Sequence, residues 1–227
     1  MQISISVIIP TLNEELTIAA ALQSVLRLEP DEIFIVDGGS LDRTREVADS
    51  MGVRVLSSER GRARQMNAGA QLARGEVLLF LHADTRLPDS ALADIRAAMQ
   101  NHHIAGGRFD LELDSAGGMF KLIGFMISLR SRLSKIATGD QAIFVRREVF
   151  ATLGGYPDIP LMEDVALSRA IKRAGEVACL KSRVITSARR WQTEGVWRTI
   201  FRMWALKSLY LAGVSPFRLK RFYGDAR

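Results

Sequence analysis

Val77-Leu-Leu-Phe-Leu-His-Ala-Asp-Thr85 decides how the rest of this sequence is read. Five apolar residues, Val77 to Leu81, follow Gly75-Glu76. An unbroken apolar run of that length, bounded by a turn signal, is the pattern of a strand buried on both faces. Polarity then switches at once to His82, Ala83 and Asp84. Open parallel sheets bind their ligands at the carboxyl ends of the strands. A carboxylate placed there can hold a divalent cation against a diphosphate. A second reading has Asp84 and Thr85 only capping the helix that follows Leu87-Pro88.

Upstream of this strand the chain alternates. Residues 3–9 are β-rich and end at Pro10. A helical pattern follows through Leu28, with Thr11 or Asn13 as its cap and Glu14 and Glu15 in its first turn. Residues 33–36 form a second buried strand ending in the turn Asp37-Gly-Gly-Ser-Leu-Asp42. A helix through Ser50, a strand over 53–56, a helix over 60–73 and, past the opening strand, a helix over 90–99 complete a β-α-β-α-β-α-β-α series. That series predicts an α/β fold, a mostly parallel sheet flanked by helices on both faces. It lines up Pro10-Thr11, Asp37 and Asp84 along one edge.

Downstream the pattern changes. Residues 105–113 alternate like an exposed or antiparallel strand. Helices are expected over 119–133, 147–153 and 162–173, and a strand entered through a turn over 138–146. Tyr156-Pro-Asp-Ile-Pro160 reads as a loop. Two short strands follow, 177–180 and 184–187, then one long amphipathic helix over 193–212. No Pro-, Gly- or Ser-rich linker divides the chain. One domain is therefore expected over 1–227: a nucleotide-binding half (1–100), an acceptor half (101–190) and a C-terminal helical tail (191–227).

Composition narrows the partners. With 48% hydrophobic and 25% charged residues, the 227-residue chain is an ordinary globular sequence with ample core. Its net charge of +6 favours anionic partners: nucleotides, nucleic acid or anionic lipid. No basic-aromatic groove pattern supports nucleic acid. A single cysteine, Cys179, excludes an internal disulfide and suits a reducing, cytoplasmic setting. No signal-peptide pattern is seen, and no 18-residue stretch is free of charge. The last helix presents Phe201, Trp204, Leu209 and Leu211 among Arg198, Arg202 and Lys207. It reads either as an interfacial helix, peripheral on the inner membrane face, or as a helix packed on the core or on a second copy.

Five stretches, in order, resemble family-2 glycosyltransferases of the GT-A fold. They are Val7-Ile-Ile-Pro-Thr-Leu-Asn-Glu14, Ile35-Val-Asp-Gly-Gly-Ser-Leu-Asp42, Met66-Asn-Ala-Gly69 with Ala73-Arg-Gly-Glu76, Phe80-Leu-His-Ala-Asp84, and Met162-Glu-Asp-Val-Ala-Leu167. Gly61-Arg-Ala-Arg-Gln-Met-Asn67 and the Arg190-Trp191 region to Arg198 look like a small cytoplasmic subgroup associated with radical-SAM and selenodomain genes.

The resemblance implies roles. Pro10, Thr11 and Glu14 would line the base and ribose, with Ala83 also in the nucleotide site. Asp37 would accept from a base N–H or a ribose hydroxyl; its alternative is an Asx turn with Gly38. Arg62 would fork onto a phosphate, unless it is one of three solvated arginines with Arg60 and Arg64. Asn67 would brace the nucleotide site. Asp84 would hold Mg or Mn. The family's usual Asp-x-Asp has His82 at its first position here, as a second metal ligand, a phosphate donor or a buried hydrogen-bonded histidine.

Asp164, beside Glu163, would be the general base; the alternative is that both only favour a helix dipole. Gly139, Asp140 and Gln141 would lie near the sugar. Arg190 and Trp191 would meet phosphate or acceptor. The implied function is inverting, metal-assisted transfer of a sugar from a nucleotide-sugar, with UDP expected, to a hydroxyl acceptor; a lipid-linked acceptor is one candidate. The competing reading is a non-catalytic nucleotide-binding or membrane-adaptor protein. A nucleotidyltransferase would want a Gly-rich basic loop after the first strand, and Pro10-Thr-Leu-Asn-Glu14 is acidic instead.

Overall fold

The computed structural model of the chain describes residues 2–223. Its first half runs β1 (Ile5–Thr11), α1 (Ile18–Leu26), β2 (Glu32–Asp37), α2 (Thr44–Ser50), β3 (Val55–Ser57), α3 (Arg62–Leu72), β4 (Val77–Phe80), β5 (Thr85–Arg86) and α4 (Ala91–Met99). The second half runs β6 (Ile104–Leu113), α5 (Gly118–Ser134), a one-turn 3-10 helix (Gly139–Gln141), β7 (Ile143–Arg146), α6 (Arg147–Thr152), α7 (Glu163–Ala174), β8 (Glu176–Thr186), α8 (Arg189–Glu194), α9 (Val196–Leu211) and α10 (Pro216–Lys220).

The strands form one sheet in the order β3-β2-β1-β4-β7-β6-β8-β5. β1 to β4 pair in parallel, and β7 joins β4 antiparallel. Strand neighbours point to opposite faces, so both faces must be covered. Val7, Ile9 and Leu79 pack with Ile18 and Leu22 of α1 and Ile95 of α4. Ile8, Leu78 and Phe80 pack on the other side with Met66 of α3 and Ile171 of α7. Two-sided burial is why β1 and β4 read as continuous apolar runs. The expected α/β sheet with helices on both faces is the observed one.

Four local expectations are corrected. Thr85 caps no helix: it opens β5, and its hydroxyl donates to Thr186 Oγ1 at 2.9 Å. The strand over 105–113 is not exposed: β6 lies inside the sheet, antiparallel to β7 as the other reading had it and parallel to β8. The two short strands near 180 are one strand, β8. Its register jumps from Phe109–Leu180 to Asp110–Arg183, leaving Lys181 and Ser182 as extra residues. The long last helix is broken at Gly195, whose φ of +84° suits glycine. Residues 224–227 of the expected tail lie outside the described residues.

Candidate functional site

β1 and β2 end in step, Thr11 opposite Asp37. Gln65 of α3 clamps these ends, donating to the carbonyls of Thr11 (2.7 Å) and Val36 (2.8 Å). Asp37 is fully buried. It accepts the backbone N–H groups of Gly39 and Ser40, both at 3.0 Å, and the Ser40 hydroxyl, with Arg45 at 3.6 Å. Its carboxylate therefore builds the turn. Thr11 is buried too, while Glu14 accepts from the Thr17 hydroxyl at 3.0 Å and lies 3.7 Å from Arg189. Pro10, at the end of the β1 core, and Ala83 are likewise closely packed.

The chemistry-bearing groups gather beside this lip. Arg62, in the first turn of α3, pairs with Glu163 at 3.3 Å. Glu163 is nearly inaccessible, whereas 39% of the Arg62 side chain stays exposed. Burial alone would lower the Arg62 guanidinium, but the charges of Glu163, Asp164 and Asp84 outweigh it and hold it above its ordinary value. Burial pushes the Glu163 carboxyl up, against the pull of Arg62. Burial raises Asp140 as well; the Thr138 hydroxyl and Arg130 oppose this, and Asp164 and Asp84 add to it. Three carboxylates, Asp84 after β4 and Glu163 and Asp164 on α7, thus act on one guanidinium.

Asp164 sits in the first turn of α7, only half-buried. One of its oxygens accepts the Gly139 N–H at 2.7 Å. A Cβ on Gly139 would lie closer than 3.0 Å to His82 Nε2 and 3.6 Å from the Asp164 oxygen. The absence of a side chain at 139 is what lets the imidazole, the peptide and the carboxylate converge. Asp84, just past β4, is half-buried, and its carbonyl accepts from Ser187 N–H at 3.2 Å.

Lys207 of α9 was visible in the sequence only as a break in an apolar face. It is half-buried, within the electrostatic reach of Asp164 and Asp140. Burial, then Arg130, lowers its ammonium to about 8, against the pull of those acids. Arg130 donates to the Thr138 hydroxyl at 3.4 Å, and Thr138 donates to Asp140 at 2.5 Å.

Several expected site residues also make contacts within the fold. Arg62 is no solvated arginine. Asn67 uses both ends of its amide on the Tyr156 backbone, at 2.8 and 2.9 Å, and so anchors the 156–160 loop. Gln141 is fully buried, donating to Phe109 O and Ser131 Oγ. Trp191 packs against the cluster of Leu111, Leu113 and Ile123. The Arg190 guanidinium lies 4.4 Å from the centre of the Tyr223 ring.

Among the described residues, no three His, Cys, Asp or Glu side chains converge closely enough to hold a metal ion. Asp84, half-exposed beside the cluster, fits a cation that shares its shell with a ligand's phosphates and water, as hard octahedral cations commonly do.

The sequence pattern described as Glycosyl transferase family 2 matches residues 6–153. A Mycobacterium bovis protein described as a PGL/p-HBAD biosynthesis glycosyltransferase is 35% identical, over 66% of this chain and 62% of its own length. The probable glycosyltransferase YdaM of Bacillus subtilis is 24% identical, over 96% of this chain and 59% of its own. The chain thus spans about three-fifths of the length of these relatives.

Two solved structures share the GT-A-type architecture. S. aureus TarS in complex with UDP-GlcNAc superposes with a TM-score of 0.65 at 20% identity, covering 81% of this chain and 58% of that one. Glucosyl-3-phosphoglycerate synthase from Mycobacterium tuberculosis, with Mn²⁺, UDP and glucosyl-3-phosphoglycerate, gives 0.61 at 21% identity, covering 80% and 70%. With the family pattern matched over residues 6–153, this chain belongs to glycosyl transferase family 2.

Proposed function

We propose that the chain transfers a sugar from a nucleotide-sugar, with UDP as the carrier, to a hydroxyl acceptor with inversion at the anomeric carbon. The observation that carries this reading is Asp164: an accessible carboxylate, oriented by the Gly139 N–H, within one electrostatic cluster with Asp84 and Arg62. Asp164 takes the acceptor's proton as the acceptor oxygen bonds to the anomeric carbon. The bond from that carbon to the diphosphate oxygen breaks, and the electron pair leaves with the nucleotide diphosphate. Glu163 does not act as the base; it is buried and orients Arg62, whose exposed side faces developing phosphate charge.

Asp84 would hold Mg²⁺ or Mn²⁺ together with the diphosphate, and such a cation neutralises charge on the leaving group. The Mn²⁺ and UDP in the synthase structure support that choice. The chain then works as one unit, with a nucleotide half and an acceptor half. The stretch over 61–67 and the Arg190–Arg198 region support placing it in the radical-SAM-associated subgroup.

A screen of UDP, GDP, CDP and dTDP by thermal shift, with and without Mn²⁺, tests this directly. UDP with Mn²⁺ should raise the melting temperature most, and UDP-sugar hydrolysis should release UDP. Tight UDP binding with no release from any UDP-sugar would favour the non-catalytic adaptor, the reading that His82 in place of an aspartate favours.

A further inference from the structure

α9 carries apolar side chains on two opposite faces. One face is packed: Leu206 and Tyr210 meet Leu161, Met162 and Val165 around the start of α7. The other has no partner among the described residues. Trp197, Phe201 and Trp204 recur at helical spacing and are 64%, 71% and 73% exposed. Phe217 of α10 and Phe222 beyond it are exposed as well. α5 adjoins it, since Phe120 and Ile127 share a cluster with Trp191 of α8 and Val196 of α9. From α5, Leu122, Phe125 and Met126 are each more than half exposed.

The charge around this surface has one sign. No Asp or Glu occurs from 195 to 223. Glu194, just before it, is paired with Arg202. Arg198, Arg218 and Arg221 are exposed along the same segment. A symmetric pairing with a second copy would set these arginines against their equivalents with no acid between them, an unfavourable juxtaposition. Tryptophan and phenylalanine beside arginine and lysine are the side chains that settle at a membrane–water boundary. Among the described residues no helix is long and apolar enough to cross a membrane.

We propose that the outer face of α9, continued by α10 and α5, docks on an anionic lipid bilayer, lying in its surface. This goes beyond the transferase reading and stands or falls separately from it. The opposite face of α9 grips the start of α7, so docking would hold the acidic cluster beside the lipid surface.

The test is co-sedimentation of the full chain with vesicles of phosphatidylcholine alone, or of phosphatidylcholine with phosphatidylglycerol. The chain should pellet with the anionic vesicles, less so in high salt. The Trp197→Ser/Phe201→Ser/Trp204→Ser variant and the Arg198→Glu/Arg218→Glu/Arg221→Glu variant should each partition at least about tenfold less. These side chains are exposed, so melting temperature should change little. Without any variant, tryptophan emission of the native chain should shift blue on adding anionic vesicles. An unshifted spectrum with no pelleting would overturn the proposal. So would light scattering that shows a dimer which the aromatic variant converts to monomer.

Discussion

Arg62 and Glu163 meet at 3.3 Å across 101 residues of sequence, clasping the first turn of α3 to the first turn of α7. One partner is buried and the other half-open, so removing either leaves an unequal wound. Arg62→Ala strands a buried carboxylate, and unfolding by urea should show a loss of about 1–3 kcal/mol, moderated by the exposure of Arg62. Arg62→Lys should recover part of the stability, since an ammonium keeps the charge but not the planar guanidinium. If Arg62→Ala is as stable as the native chain, the pair is ornamental.

Gly139 is predicted to tolerate no side chain while His82 lies against it. Gly139→Ala should displace the imidazole or the 3-10 turn, lowering stability by about 1–3 kcal/mol. The double variant His82→Ala/Gly139→Ala should be less destabilised than the two single changes summed. Strict additivity in chemical denaturation would show that the two residues do not compete for the same space.

Asn67→Ala should free the 156–160 loop. Both hydrogen bonds to Tyr156 disappear together, an expected loss of about 1–3 kcal/mol. Hydrogen exchange at the Tyr156 amide reads the effect locally. Unchanged protection there would contradict the anchoring role.

Lys207 makes stability depend on pH. Burial lowers its ammonium from 10.5 to about 8. Between those values the unfolded chain binds a proton that the folded chain has released, so this group adds stability as pH rises through that window. Below it, both states are charged and the folded state carries the full penalty of burial. Lys207→Met should therefore gain most over the native chain near about pH 7 and least near about pH 10, read from urea midpoints. A difference that does not change with pH would show that Lys207 titrates normally.

The sheet was legible because its strands are buried on both faces, which writes unbroken apolar runs such as 77–81. The join in β8 was not, because Lys181 and Ser182 place polar residues mid-strand where a turn would have them. Gly195 was a readable break inside an otherwise helical pattern. Asp84 and Asp164 were placed by motif and lie in one cluster. Asp37 was placed by motif as well, and its oxygens turn inward to Gly39 and Ser40, contacts that a motif position does not reveal. Arg62 read either as a phosphate ligand or as one of three surface arginines, and its pairing with Glu163 was hidden because that partner stands 101 residues away. Lys207 looked like an interruption, because its acidic neighbours lie on other elements.

The most direct measurement is UDP release from a UDP-sugar by the native chain and by Asp164→Asn, with Mn²⁺ present and UDP affinity measured in parallel. Asp164→Asn should bind UDP as the native chain does while turnover falls by about 10²–10⁴-fold. Native turnover in the Asp164→Asn variant, at native UDP affinity, would contradict the assignment of Asp164 as the base.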